Sequence, residues 1–112
     1  MFCAFSANEQ VGYASKISEH GGIEVEADSI DNVLSGNKVT YIKLDVEGAE
    51  IETLKGAIET IRAQKPKMAI SIYHKPEDII EIPLFMEKLD MDYKYYIRHY
   101  QTRYAETVLY AI

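Results

Sequence analysis

The alternation of apolar and polar positions is clearest from residue 41 onward. Tyr41–Leu44 is short, apolar and rich in β-favouring side chains, and we predict a strand over Tyr41–Asp45. Over residues 48–64, apolar side chains recur every three or four positions, which predicts one helix with a single buried face. Pro66 then ends the helix, because the residue before a proline disfavours helical backbone angles. The apolar stripe of this predicted helix comprises Ile51, Leu54, Ile58 and Ile61.

The next segments return to a strand and then to a helix. Residues 68–73 carry few polar side chains, as expected of a strand that is buried on both faces. Residues 76–80 predict a short helical turn. Pro83 is favoured at a first helical position but would break a helix interior, so we predict a second helix that begins there and covers 83–89.

Two further strands are predicted in the last 20 residues of the sequence. Residues 93–100 and 106–111 are joined by a short polar loop, which predicts an antiparallel hairpin. The first of them is rich in aromatic and basic side chains. Such a run could stack sugars or bases, although it more often packs across a strand pair. From residue 41 the predicted order is β-α-β-α-β-β, an α/β unit that closes with a hairpin.

The pattern is weaker before residue 41. Residues 2–5 and 14–18 suggest a loose hairpin, and residues 23–30 alternate like a half-buried strand. Cys3 and His20 lie in this part of the chain, and we assign them no role.

A single helical turn is predicted just before the core. It covers residues 31–35, with Ser29 or Asp31 near its cap, because both side chains can accept from free backbone amides. We therefore expect one domain, with irregular strands and turns over 1–40 and the β-α-β-α-β-β core over 41–112.

Composition and charge exclude several classes of function. The chain has 112 residues, a net charge of −6 and a pI near 5.0, which argues against a nucleic-acid surface and, more weakly, against an anionic membrane surface. No apolar run is long enough to span a membrane, and no secretory signal pattern is present. A single cysteine cannot form an internal disulfide, so we expect a cytoplasmic protein.

Candidate catalytic residues follow the first two core strands. Asp45 ends the first predicted strand, and His74 lies at the end of the second. If these strands are parallel neighbours, about 4.8 Å apart, both side chains face one crevice at the carboxyl edge of the sheet. A carboxylate or imidazole there could orient an acceptor hydroxyl and take its proton. The structural alternative is that Asp45 caps a turn and His74 bonds a loop carbonyl.

Two more acids, Glu47 and Glu50, flank Gly48 where the helix begins. Acids stabilise helix N-termini, so both have a structural explanation, and glycine permits a backbone conformation that other residues avoid. Asp45, Glu47 and His74 could also form a metal site with mixed oxygen and nitrogen ligands. No compact ligand spacing demands one, and we expect no metal.

Several segments resemble the FkbM-type family of S-adenosylmethionine-dependent methyltransferases. The hallmark of that family around its fourth strand is similar to Ile42-Lys-Leu-Asp-Val-Glu-Gly-Ala-Glu50. Residues 27–31 resemble the segment before the hallmark, 65–78 the fifth strand and its loop, and 106–112 the closing strand. The resemblance covers most of the chain from about residue 24 onward.

The resemblance implies a fold, a reaction and a cofactor. It implies the C-terminal half of a class I methyltransferase sheet, a Rossmann-like fold whose last strand runs antiparallel. It implies methyl transfer from S-adenosylmethionine to an oxygen acceptor, a small-molecule or sugar hydroxyl, and it favours Glu47 facing the site with Asp45 and His74. The family's glycine-rich cofactor loop is not found, since Gly21 and Gly22 have neither a strand before them nor a helix after them.

A second interpretation follows from that missing loop. The chain would then be a non-catalytic fragment or assembly module that binds a partner chain and no cofactor. Under the first interpretation, cofactor binding by this chain alone is doubtful. Under either, we expect a homodimer or association with a missing N-terminal half.

Overall fold

The computed structural model describes residues 27–102 and 106–112, and the backbone of two short strands before them. The elements are β1 (Phe5–Ala7), β2 (Ser15–Ile17), α1 (Ile30–Leu34), β3 (Tyr41–Leu44), α2 (Glu50–Lys55), α3 (Ile58–Gln64), β4 (Lys67–Ser71), α4 (Asp78–Lys88), β5 (Tyr95–His99) and β6 (Thr107–Ala111). β1 and β2 pair antiparallel, which confirms the predicted loose hairpin. Cys3, His20 and residues 23–26 of the predicted strand lie outside the described residues.

The main sheet has four strands in the order β3-β4-β6-β5. β3 and β4 are parallel, whereas β6 is antiparallel to both of its neighbours. The predicted fold class is therefore confirmed: parallel strands connected through helices, followed by an antiparallel hairpin. The last strand in sequence lies inside the sheet, between β4 and β5.

The described core lies on one face of this sheet. Ile42 and Leu44 of β3 are buried, whereas Tyr41 and Lys43 face the other way and are exposed. The strand register places six buried side chains on one face, where they pack against α2, α3 and α4: Ile42, Leu44, Met68, Ile70, Leu109 and Ala111. Ala69 of β4 is buried on the other face. The largest fully buried apolar side chains of the core are Leu54, Ile61, Met68, Ile70, Ile72, Ile82, Met86 and Leu109.

The predicted single helix over 48–64 is wrong, because the chain forms α2 and α3 with a break at Gly56. A Cβ at Gly56 would lie 3.0 Å from the Cβ of Ser29, so the close approach of α1 excludes a side chain there. The carbonyl of Gly56 accepts from the amide of Asp31 at 2.9 Å. Leu54 and Ile61 remain fully buried, so the predicted apolar stripe is confirmed across the break.

The prediction that a helix begins at Pro83 is also wrong. α4 begins at Asp78 and runs through Pro83, joining the predicted turn to the predicted helix. A proline in the interior removes the hydrogen bond to the carbonyl four residues earlier, here that of Ile79. Ile79 is half exposed, whereas Ile82 and Met86 are fully buried and hold this part of α4 on the core.

The remaining helix and strand limits differ by one to three residues from those predicted. β4, β5 and β6 are each shorter than their predicted spans. α1 confirms the predicted helical turn, and Ser29 caps it by accepting from the amide of Asn32 at 3.2 Å. Residues 27–29 have no regular structure and Ile30 is helical, so the strand predicted over 23–30 is wrong over its last four residues.

Candidate functional site

The candidate site lies where β3 and β4 end at the same edge of the sheet. Asp45 directly follows β3, and His74 follows β4 by three residues. Because the two strands are parallel neighbours, their carboxyl ends meet, and the His74 Nε2 atom lies 3.3 Å from Asp45 Oδ1. Glu47 Oε1 lies 3.4 Å from the same nitrogen. The structure thus brings the three predicted site residues together, while their catalytic role remains a prediction.

A left-handed turn after β3 places Glu47 beside His74. Glu47 has φ 53° and Gly48 has φ 101°, both in the region that L side chains disfavour. A Cβ on Gly48 would lie 3.3 Å from Lys75 Cε and 4.0 Å from His74 Cβ. Glycine is therefore favoured at this position by its backbone conformation, since the contacting Lys75 side chain is flexible and could move aside.

Glu50 holds the turn and the histidine from beneath. Its side chain is fully buried, and its carboxylate accepts from the amides of Val46 at 3.2 Å and Gly48 at 3.1 Å. Its Oε1 atom also lies 2.7 Å from His74 Nδ1. Sequence analysis gave Glu50 only a role at the helix N-terminus. The sequence carried no signal for this contact, because Glu50 is the first residue of α2, whereas a capping box uses an acid at the third helical position.

The His74 ring is enclosed on one side and faces acids on the other. Only 9% of its side chain is exposed, whereas 46% of Asp45 and 32% of Glu47 are exposed. The Tyr73 ring lies against it, with ring centroids 4.1 Å apart. Neither ring nitrogen makes a hydrogen bond of acceptable geometry to any described residue, despite three nearby carboxylates. The imidazole can therefore exchange a proton or bind a ligand on its Nε2 side.

The local field is strongly negative. Burial raises the pKa of the Tyr73 hydroxyl, and the charges of Asp45 and Glu47 raise it further. Asp78, at the start of α4, is 3% exposed, and one of its carboxyl oxygens has no hydrogen-bond partner among the described residues. Burial raises the pKa of the Asp78 carboxyl, with the neighbouring Glu50 charge as the second cause. The site consequently favours cations and bound protons over additional negative charge.

An open groove of about 360 Å³ runs from Asp45 across the uncovered face of the sheet. Its lining is polar and aromatic, and a hydroxylated small molecule could lie there with one end at Asp45. The lining residues are Tyr41, Lys43, Asp45, Ala69, Ser71, Tyr73, Tyr100, Glu106, Val108 and Tyr110.

A larger aromatic groove, about 790 Å³, follows β5 at the far edge of the sheet. β5 confirms the strand predicted for the aromatic and basic run, and a binding role for that run remains a prediction. Two strands, β4 and β6, separate β5 from Asp45, and no acid or histidine lines this groove. We therefore place acid–base chemistry at the smaller groove.

Among the described residues, no helix has the length and apolar character needed to cross a membrane.

Comparison with known proteins identifies one family. Residues 2–95 match the model of the methyltransferase FkbM domain. A crystal structure of the methyltransferase FkbM from Methylobacillus flagellatus KT is similar, with 34% sequence identity and a TM-score of 0.72. The match covers 79% of this chain and 23% of that one, so this chain spans less than a quarter of the length of that protein. No curated protein gives a match.

Proposed function

This chain belongs to the FkbM methyltransferase domain family, and from that premise we propose that it forms the acceptor side of a methyltransferase site acting on an oxygen atom. The observation that carries the proposal is the position of His74, 3.3 Å from Asp45 at the carboxyl edge of two parallel strands. Ligands of open α/β sheets bind at this edge. Sequence identity to a methyltransferase of known structure supports the reaction class.

The acceptor hydroxyl must lose a proton as its oxygen gains the methyl group. Asp45 is the most exposed of the acids around His74, so we assign it the contact with the hydroxyl. His74 would receive the proton through Asp45, since its Nε2 atom is buried and lies 3.3 Å from that carboxylate. Glu47 would stabilise the resulting imidazolium, and the buried Glu50 would hold the ring in place through Nδ1.

The methyl donor implied by the family is S-adenosylmethionine, and the described residues do not fit it. Cofactor binding needs glycines whose missing side chains leave space for the cofactor. The space beside Gly48 is occupied by Lys75, and the space beside Gly56 by Ser29. Gly36 is open but lies in a turn after α1, with no strand before it. We therefore derive no step through the cofactor, and we expect the chain alone to bind it weakly.

The acceptor we propose is a neutral hydroxylated small molecule or a sugar. The groove beside Asp45 presents the hydroxyl groups of Ser71, Tyr73 and Tyr110, which suit hydroxyl recognition. The acids of the site disfavour an anionic acceptor.

One observation favours a second candidate, a non-catalytic assembly module. The sheet face opposite the helices carries exposed aromatic side chains, with Tyr41 54% and Tyr96 52% exposed. A partner chain on that face would bury them, with no need for a cofactor. The two candidate functions differ in whether a substitution of Asp45 changes the rate of methyl transfer.

Asp45→Asn tests the proposal in protein expressed from its complete reading frame. The amide keeps the size of the side chain but removes its charge and basicity, so methyl transfer to a hydroxylated acceptor should fall by about 10²-fold or more. The thermal midpoint should change little, because an exposed acid contributes modestly to folding. Labelled methyl transfer from S-adenosylmethionine measures the rate.

Glu52→Gln is the matched control, since it makes the same charge change on an exposed helix position and should keep the wild-type rate. Near-full turnover in Asp45→Asn would contradict the role of this residue. Absence of transfer by the wild type to every acceptor would favour the assembly module.

A further inference from the structure

Asp45, Glu47 and His74 offer one ligand atom each, and these three atoms lie within 4.8 Å of one another. We propose that they bind a divalent transition-metal cation. The sequence alone led us to expect no metal, because the spacing of the three residues is not compact. The geometry reverses that expectation, since the fold brings them to one point.

The His74 imidazole is the first argument for a cation. Its side chain is more than nine-tenths buried, and neither ring nitrogen has a hydrogen-bond partner of acceptable geometry among the described residues. A buried polar group without a partner is unfavourable. Its Nε2 atom faces two carboxylates, at 3.3 Å from Asp45 and 3.4 Å from Glu47. A cation between these three groups would give Nε2 a partner.

The distances suit shared ligation. Two ligand atoms that each lie about 2.1 Å from one ion, at angles of roughly 90–110°, are about 3.0–3.4 Å apart. The separations of Nε2 from the two carboxylate oxygens are 3.3 and 3.4 Å. Asp45 and Glu47 are both partly exposed, so small rotations of their side chains can complete the geometry.

Glu50 provides the support that metal-binding histidines usually have. Such a histidine commonly donates its second ring N–H to a carboxylate, which fixes the tautomer and the ring orientation. The Nδ1 atom of His74 lies 2.7 Å from Glu50 Oε1. Two backbone amides fix Glu50 in turn, those of Val46 and Gly48. The Glu50 carboxylate therefore contacts both the turn that carries Glu47 and the His74 ring.

Charge favours a divalent ion over a proton alone. Three carboxylates within ion-pair distance of a protonated His74 give a formal local charge of −3 + 1 = −2. A divalent cation on the neutral ring gives −3 + 2 = −1. No lysine or arginine among the described residues forms an ion pair with any of these three acids. Lys75 lies beside Gly48, and Lys43 lines the same groove as Asp45, but neither forms an ion pair with these acids, so a cation between them would reduce their mutual repulsion.

The donor set favours a transition metal. One imidazole nitrogen with two carboxylate oxygens suits Mn²⁺, Co²⁺ or Zn²⁺ better than Mg²⁺ or Ca²⁺, which prefer oxygen alone. The exposed side of Asp45 leaves coordination positions open toward the groove. With the cation bound, Nε2 of His74 would be a ligand and could not take a proton. An acceptor hydroxyl of the proposed function would then lose its proton to solvent, and its oxygen would be held for methylation.

Titration of the whole chain with Mn²⁺ tests the proposal without cofactor or acceptor. We expect the loss of the free-ion resonance signal to give one site with a dissociation constant below about 100 μM. Asp45→Asn with Glu47→Gln should weaken binding by about 10-fold or more. Glu52→Gln with Glu59→Gln makes the same charge change at exposed positions and should leave it unchanged. Both double variants alter exposed side chains, and circular dichroism checks their fold.

A second measurement reports on the histidine itself. Bound Mn²⁺ should broaden the ring proton resonances of His74 and spare those of His99, which lies at the other edge of the sheet. Binding weaker than about 1 mM, equal loss in the control variant, or equal broadening of both histidines would each overturn the proposal. Failure of Mn²⁺ binding would leave methyl transfer through Asp45 and His74 untouched. Binding without methyl transfer would contradict only the proposed function.

Discussion

At the scale of single residues, the molecule places polar groups where burial changes their chemistry. His74 and Glu50 are the clearest pair, because a fully buried carboxylate orients a nearly buried imidazole toward two exposed acids. The proximity of Asp45 and His74 could be predicted, since it follows from two parallel strands. The contribution of Glu50 could not, because its carboxylate turns back to amides that only the folded turn presents.

The buried hydroxyl of Tyr93 leads to a prediction about the stability of the fold at alkaline pH. Its hydroxyl donates to the carbonyl of Pro66, and burial, with Tyr95 as the second cause, raises its pKa to about 12. An unfolded tyrosine titrates near 10. The folded state therefore favours the neutral phenol, and this contribution to stability is complete below about pH 10 and is lost as the pH rises through 12. Urea midpoints measured from pH 8 to 12 should fall over that interval.

Tyr93→Phe should be less stable at pH 8, because the Pro66 carbonyl loses its donor, and should depend less on pH above 10. Tyr96→Phe, at an exposed position, is the control. An equal pH dependence in both variants would contradict the assignment to Tyr93.

At the scale of elements, α3 depends on a side chain from a different helix. Ala57, at its N-cap position, offers no side-chain acceptor. The Asp31 carboxylate of α1 accepts instead from the amides of Thr60 at 2.8 Å and Glu59 at 3.2 Å. From the sequence we expected Ser29 or Asp31 near the cap of α1, and Ser29 has that role. A cap supplied across 28 or 29 positions leaves no local pattern to detect.

Asp31→Ala should therefore destabilise the protein by about 0.5–2 kcal/mol through loss of this cap. Leu54→Ala, in the fully buried stripe, should cost about 2–5 kcal/mol. Glu81→Ala, at an exposed position of α4, should cost little. Urea unfolding of the three variants gives the comparison, and an equal midpoint for Asp31→Ala and Glu81→Ala would refute the capping role.

Elements that depend on local sequence were predicted correctly, whereas elements that depend on contacts with distant residues were not. The strand at Tyr41–Leu44 and the apolar stripe through Leu54 and Ile61 rest on local periodicity, and both were predictable. The break at Gly56 depends on the packing of Ser29, and the passage of α4 through Pro83 depends on burial of residues around it. These depend on tertiary contacts that a periodic pattern does not contain.

At the scale of the whole molecule, the sheet is covered unevenly. The described helices pack on one face, and β3 forms one edge of the four-stranded sheet, where no other described strand pairs with its outer backbone groups. The exposed Tyr41 side chain lies on this edge strand. We propose that the chain associates through this edge and the uncovered face beside it.

Light scattering at increasing concentration should therefore show dimers. Tyr41→Lys should shift the protein toward monomer, because a charge on an edge strand opposes pairing. Ile80→Lys adds the same charge at an exposed position of α4 and should not alter the dimer fraction. A monomeric wild type at high concentration would contradict association through this edge.

The position of β6 has a consequence for how the chain folds during synthesis. β6 follows β4 and β5 in the sequence, yet it lies between them and pairs with both. β5 therefore has no partner in this sheet until residues 107–111 have also left the ribosome. Until then, a nascent chain that has released β4 and β5 presents the unpaired edges of both strands to solvent and to chaperones.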